Sequence, residues 1–217
     1  KKKGIRIITG KKAKLQQGRL SAGQQIEYDK ILVAVGRKPC YDKKQADKLN
    51  INHNNGIKVN KKMQTNIPNI YAIGDVTNII QLAHVASMQG IIAANNIMGR
   101  ESLMEYDSIP SCIYTIPEIA VAGKFEYQLK KGTFSTHKAT YAANAKARCD
   151  DQLTGFIRII TQKEKVVGIQ IVGKNASDLI ANALTLINTK STTTTILKTI
   201  FPHPTYSEIF GEALKKE

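Results

Sequence analysis

Gly155-Phe156-Ile157-Arg158-Ile159-Ile160-Thr161-Gln162-Lys163-Glu164-Lys165-Val166-Val167-Gly168-Ile169-Gln170-Ile171-Val172 reads as two strands joined by the polar turn Thr161–Glu164. Ile and Val dominate both runs, which predicts a β-hairpin with a mostly buried face. On its C-terminal side, Asn175-Ala176-Ser177-Asp178 has the form of an N-cap with an acidic residue at N3, opening a helix through Ile187. Ser191–Thr199 is β-branched and a poor helix by propensity, whereas Tyr206–Lys216 is a good one. On its N-terminal side the hairpin-like texture reaches back to Tyr106-Asp107-Ser108-Ile109-Pro110, which marks a domain boundary.

Before that boundary the pattern differs. Ile5–Ile8 and Ile31–Val35 are apolar runs, the second continuous, as in a parallel-sheet strand buried on both faces and stopped by Gly36. Arg37–Asn55 reads as loop and short helix, Gly56–Val59 as a brief strand, and Ile70–Ile73 as a strong strand ending at Gly74-Asp75. From Leu82 to Ile97, Ala83, Ala86, Gly90, Ala93, Ala94 and Ile97 recur at helical spacing and predict a tightly packed helix. The expected class is α/β followed by α+β, and no internal repeat is found.

The 217 residues suffice for one large domain or two smaller ones, and 42% are hydrophobic, so disorder is not expected. No run approaches the roughly 20 apolar residues of a bilayer span, and Lys1–Lys3 do not lead into an apolar signal segment, so a soluble protein is expected. There is no initiator Met and the chain opens inside a charged segment, as a fragment would. Cys40, Cys112 and Cys149 form neither CxxC nor CxxxxC, which excludes metal knuckles and local redox disulfides and favours a reducing, cytoplasmic setting. Of the net charge of +15, the first 48 residues carry 14 basic against 4 acidic side chains. Only Tyr28 and Tyr41 interleave with them, so solvated strand edges are preferred over a nucleic-acid surface.

Three motifs could carry chemistry. Gly74-Asp75 delivers a carboxylate at the carboxyl end of a strand, where α/β sheets place ligands, although Gly-Asp also simply makes turns. Gln81-Leu82-Ala83-His84 opens the Ala-rich helix, whose free N–H groups suit an anionic or electron-rich group. There the backbone acts, and His84 taken singly is a capping or packing residue. In Phe201-Pro202-His203-Pro204-Thr205-Tyr206-Ser207-Glu208, two prolines hold His203 outside any helix, and Glu208 could fold back onto its ring as orienter to base. Thr205 and Glu208 are equally spaced as a capping box, which alone would explain the glutamate. No two of the 15 glycines stand two positions apart, so a G-x-G dinucleotide fingerprint is absent, and so are a Walker loop, a Ser nucleophile elbow and a metal-ligating His cluster.

Taken in order, the pieces are specific. Ile31–Pro39, Met63-Gln64-Thr65-Asn66-Ile67-Pro68-Asn69-Ile70-Tyr71-Ala72-Ile73-Gly74-Asp75-Val76, Leu82-Ala83-His84, Ile109–Thr115 with Pro117-Glu118, and His203-Pro204-Thr205 with Ser207-Glu208 together resemble the pyridine nucleotide-disulfide oxidoreductases, flavoproteins, and among them the dihydrolipoamide dehydrogenases. The resemblance runs from about Gly4 to Glu217 but matches only the C-terminal half of a member. It implies that residues 1–37 end an NAD-binding domain, with Gly36 at its close. Residues 38–107 are then a central FAD-contacting segment and 108–217 a dimerisation domain of antiparallel sheet and helices. It implies that Asp75, after Gly74, bonds the ribityl chain of FAD, and that the helix start at Gln81, Leu82, Ala83 and His84 faces the flavin pyrimidine edge. It further implies a homodimer, with His203 reaching the partner subunit's site as acid/base, Glu208 orienting it, and a cis His203–Pro204 bond.

The implied reaction is oxidation of dihydrolipoamide, free or on a lipoyl-bearing protein of a 2-oxoacid dehydrogenase complex, with electrons passing through FAD to NAD in cytoplasm or an organelle such as the mitochondrial matrix. The redox disulfide and both nucleotide glycine loops of the family lie outside this sequence, so this chain alone is expected to be inactive. Phe201 stands where many members carry histidine, and Gly123-Lys124-Phe125-Glu126 departs from the usual turn. A glutathione-reductase-like enzyme and a non-catalytic dimerisation module are the alternatives.

Overall fold

A computed structural model describes residues 4–215, so Lys1–Lys3 and the expected helix end at Lys216 lie outside the described residues. The chain forms two units, Lys1–Pro39 and Cys40–Glu217. In the first, β1 (Lys14–Gln16), β2 (Arg19–Ser21) and β3 (Gln25–Ile26) make a three-stranded antiparallel sheet that the apolar pattern did not signal. The Tyr28 hydroxyl donates to the Gly18 carbonyl at 2.8 Å, fastening the end of the sheet to its tight turn.

Ile5–Ile8 and Ile31–Val35, expected as strands, pair with nothing in a ladder. Leu32 and Val35 stand 92% and 89% exposed. A continuous apolar run is a buried parallel strand only when neighbours flank it and both faces are covered, and hydrophobicity names no such neighbour. Every ladder among the described residues is antiparallel.

The second unit opens with α1 (Lys43–Lys48), whose N-cap Asp42 accepts from the Gln45 N–H at 3.1 Å. Gly56–Val59 and Ile70–Ile73 are also not strands. They make only isolated bridges, His53 to Ile57 and Gln64 to Tyr71. The 3₁₀ turn Gly74–Thr77 leads to α2 (Ala83–Ile97). The helix bounds agree with the sequence reading, and the buried face agrees in part, with Ala93 buried and Ala86 and Gly90 half-buried. Val85, Gln89, Ile92 and Ala93 are buried, while Ala83, Ala94 and Ile97 are exposed. Small residues permit close packing on any face, and the larger Val85 and Ile92 decide which face gains by burial, against Met63 and Met104.

The rest is one five-stranded antiparallel sheet with helices against it. Its strands are β4 (Ser111–Ile113), β5 (Glu118–Gly123), β6 (Ser135–Thr140), β7 (Phe156–Gln162) and β8 (Lys165–Gly173), in the order β4-β5-β8-β7-β6. Gln162 pairs with Lys165, so the hairpin turn contracts to Lys163-Glu164, both at positive φ as a primed two-residue turn requires. Ile157 pairs with Ile171 and Ile159 with Ile169. All four are fully buried, each contributing about 1.5–3 kcal/mol. Gly173 ends β8 at φ +152, where a Cβ would overlap the ring of fully buried Tyr141.

Between β6 and β7 lies α3 (Ala145–Cys149), and beyond β8 come α4 (Ala176–Asn188), α5 (Thr193–Lys198) and α6 (Ile209–Glu212). Asn175 does not cap α4 as expected. It sits at φ 59 and its side chain makes no cap bond, while Glu118 of neighbouring β5 accepts from the Ser177 N–H and hydroxyl at 2.9 and 2.7 Å. The left-handed backbone turns the Asn side chain away, and the sheet supplies a carboxylate to the positive end of the helix instead. α5 forms despite its run of threonines because Thr192 caps it and Ile196 is buried. The closing helix is shorter than expected, with a 3₁₀ turn Tyr206–Glu208 preceding the four-residue α6. No helix among the described residues is long and apolar enough to cross a membrane.

Candidate functional site

The Gly74-Asp75 turn is held from three directions. Gly74 adopts φ +71, and an added Cβ would come within 3.2 Å of Ala86 Cβ, so the turn lies directly on α2. The Gly74 N–H donates to Gln89 Oε1 at 2.6 Å, and fully buried Gln89 donates in turn to the Tyr106 hydroxyl at 2.9 Å. The Thr77 hydroxyl donates to the Gly74 carbonyl at 2.8 Å. Asp75, half-buried in the first position after the glycine, therefore projects from a backbone with little freedom. Sequence reading missed Gln89 and Tyr106. A polar residue in the core stripe of α2 was the available signal, because a buried amide has to be hydrogen-bonded.

At the start of α2, Gln81 donates to Asn78 Oδ1 at 3.1 Å. Leu82 is the N-cap and offers no side-chain acceptor, and no acidic residue lies in the first turn. The positive end of a 15-residue helix is thus left without a side-chain anion from its own first turn, and the N–H groups of Ala83 and His84 belong to that turn. The His84 ring is committed elsewhere. Its Nε2 lies 2.9 Å from the Pro110 carbonyl, which can only accept, so Nε2 carries the proton and the ring ties α2 to the segment before β4.

His203 and Glu208 are brought together at the C-terminus. The His203–Pro204 bond is cis, and His203 Nδ1 lies 2.9 Å from Glu208 Oε1. The other oxygen, Oε2, accepts the Thr205 N–H at 2.8 Å. The capping box and the orienting contact, alternatives on spacing alone, coexist because a carboxylate has two oxygens. Those bonds, the backbone one first and then the imidazole, hold the Glu208 carboxyl below the usual carboxylate range. An ionised carboxylate only accepts, so Nδ1 bears the proton and Nε2 presents a lone pair outward. The His203 side chain is 68% exposed against 20% for Glu208, which leaves the basic nitrogen reachable while its orienter is sheltered. Phe201 packs against the core at Gly211 and fixes the approach of this segment.

His53 makes a second imidazole–carboxylate pair, with Asp47 at 3.0 Å and the Tyr41 hydroxyl at 3.1 Å, but both ring nitrogens are engaged and it fastens α1 to the following turn. Gly36 lies in the first unit, at φ +99. Asp75 with the α2 start, and His203 with Glu208, are two clusters assembled from different elements. No group of three potential metal ligands occurs among the described residues.

Two sequence families account for nearly the whole chain. Residues 109–214 match the pyridine nucleotide-disulphide oxidoreductase dimerisation domain, and residues 1–90 match the pyridine nucleotide-disulphide oxidoreductase domain. The chain is 39% identical to dihydrolipoyl dehydrogenase of Bacillus subtilis over 191 residues, which is 86% of this chain and 42% of that one. It is 36% identical to the enzyme of Geobacillus stearothermophilus over 98% of this chain and 49% of that one. Among solved structures, LpdA from Mycobacterium tuberculosis superimposes with a TM-score of 0.90 at 24% identity, over 98% of this chain and 50% of the other, which establishes the fold. The chain spans about half the length of the relatives it matches. On the order of its motifs, its antiparallel dimerisation-type sheet and these matches, the chain belongs to the pyridine nucleotide-disulphide oxidoreductases.

Proposed function

We propose that the chain supplies the proton-handling pair and the flavin-facing helix of a homodimeric, FAD- and NAD-dependent dihydrolipoyl dehydrogenase. The observation that carries this reading is the 2.9 Å contact of His203 Nδ1 with a Glu208 carboxylate anchored at its other oxygen. Oxidising a dithiol to a disulfide releases two protons and two electrons. His203 Nε2, freed to accept because the carboxylate across the ring takes the Nδ1–H, accepts a proton as a substrate thiol becomes a thiolate, and Glu208 faces the imidazolium so formed. When bound, FAD relays the electrons to NAD.

The residues present fit that cofactor. The uncapped start of α2 at Gln81, Leu82, Ala83 and His84 offers backbone N–H groups and a positive dipole end to an electron-rich ring edge, and Asp75, on its braced turn, offers an acceptor to a polyol hydroxyl. In this reading residues 1–37 close the NAD-binding domain, with Gly36 at its end. Residues 38–107 contact FAD, and 108–217 form the dimer interface. Exposed Ile113, Tyr114 and Ile116 beside β4 support an interface on that edge. The substrate is dihydrolipoamide carried by a lipoyl-bearing protein of a 2-oxoacid dehydrogenase complex, and the setting is reducing, in keeping with three free cysteines.

The test is His203→Gln in the full-length dimer. Dithiol oxidation is expected to fall by about two orders of magnitude or more with flavin content unchanged. Unaltered turnover would remove the proposed role.

A further inference from the structure

Beneath the His203–Glu208 pair lies a residue that neither motif contains. Asn144, between β6 and α3, is fully buried, and its three side-chain bonds reach three different elements. Its Oδ1 accepts the Ala147 N–H at 3.0 Å and caps α3. Its Nδ2 donates to the Thr205 carbonyl at 3.1 Å and to Glu212 Oε1 at 3.3 Å, across 61 and 68 residues of chain. Thr205 is the residue that Glu208 grips by its N–H, and its own hydroxyl donates to the Pro202 carbonyl at 2.7 Å. One residue, Thr205, is therefore clamped at its carbonyl by Asn144, at its N–H by Glu208 and at its side chain by the segment before His203.

We infer that Asn144 is a positioning residue for the His203–Glu208 pair, acting through the Thr205 backbone and the Glu212 carboxyl. The chain of contacts runs Asn144 Nδ2, Thr205, Glu208 and His203 Nδ1, each link 2.8–3.1 Å. Loss of the amide donor leaves the Thr205 carbonyl unpaired and loosens Thr205, the residue shared by the two peptide groups that Asn144 and Glu208 hold. The carboxylate attached to its N–H then moves away from the ring. Glu212 completes the arrangement. Its Oε2 is buried without a hydrogen-bond partner among the described residues, burial pushes its carboxyl up toward the neutral form, and its Oε1 accepts from the Asn144 amide. The charged groups facing this cluster are Glu208, Glu212 and Lys215 from the C-terminal segment, and Asp150 at the end of α3, which accepts from the Tyr206 hydroxyl at 3.0 Å.

The inference rests on the acid/base role proposed for His203 and Glu208, and the experiment separates the two. Asn144→Ser keeps an acceptor to cap α3 but is too short to reach Thr205. Should that variant fail to fold, Asn144→Asp is isosteric, retains the cap acceptor and replaces the donor. In the full-length flavoenzyme the variant is expected to lower kcat for dithiol oxidation about tenfold, with KM changed less than twofold and flavin content intact. Nitrogen-15 NMR of the His203 ring is expected to show loss of the single Nδ1-protonated tautomer. His203→Gln and Glu208→Gln are measured beside it. If both of those collapse turnover while the Asn144 variant, even with a lowered melting temperature, retains wild-type kcat and tautomer, Asn144 is only a helix cap and the inference fails. If His203→Gln is itself fully active, the acid/base reading fails first.

Discussion

Glu208→Gln separates an orienting carboxylate from a capping one. In the native pair one oxygen takes the His203 Nδ1–H at 2.9 Å and the other takes the Thr205 N–H at 2.8 Å. Glutamine has one acceptor oxygen and cannot serve both donors. If the amide oxygen stays with Thr205, the NH₂ group faces Nδ1, drives the ring proton to Nε2 and blocks the nitrogen that must accept from substrate. A hydrogen bond to a charged group is worth about 1.5–3 kcal/mol, and exposure of the ring moves that to the lower end. At about 1.4 kcal/mol per factor of ten, loss of the charge-assisted bond alone costs about tenfold in kcat/KM, and the inverted tautomer extends this toward a hundredfold. The assay is steady-state oxidation of dihydrolipoamide with NAD by the full-length dimer, with nitrogen-15 NMR reporting the ring tautomer. Turnover within twofold of wild type, in a preparation where His203→Gln is inactive, would show that Glu208 only caps the 3₁₀ turn and that the orienting argument is wrong.

Two further outcomes follow from the helix termini. Glu118→Ala removes both contacts to Ser177 and is expected to destabilise the chain by about 1 kcal/mol at pH 7 in urea unfolding. Because the Ser177 N–H and hydroxyl hold the Glu118 carboxyl below its ordinary 4.5, the native contribution is present above that pH and fades as acid protonates the group in the folded state. The gap between wild type and variant therefore narrows as pH falls below 4.5 and through the acid titration of the folded state, and a gap that stays constant throughout contradicts the assignment. Ala83→Glu places an anion in the first turn of α2, where none exists. It is expected to stabilise the flavin-free protein by about 0.3–1 kcal/mol while weakening FAD binding, and tighter flavin binding would dismiss the helix start as the flavin-facing element.

Local chemistry sufficed for elements whose stability is local. The β7–β8 hairpin and the helix from Ala176 were legible because two Ile- and Val-rich runs stand either side of a short polar turn and an acidic residue marks the first turn of the helix, all within a few residues. The pairing of His203 with Glu208 was legible as a possibility because prolines restrict the backbone on both sides and five residues of chain limit the search. What depended on partners distant in sequence was not. Ile31–Val35 has the hydrophobicity of a buried strand, yet burial needs neighbouring strands that hydrophobicity does not name, and its side chains stand exposed. The same limit hid Glu118 as the cap of α4, Gln89 as the brace of Gly74, and Asn144 beneath Thr205. Each is an unremarkable polar residue in sequence that acquires its role only where folding excludes water and makes an unsatisfied donor costly. Sequence alone determined which residues could handle a proton. Tertiary structure decided that one carboxylate caps and orients at once, because only folding sets the directions in which its two oxygens point.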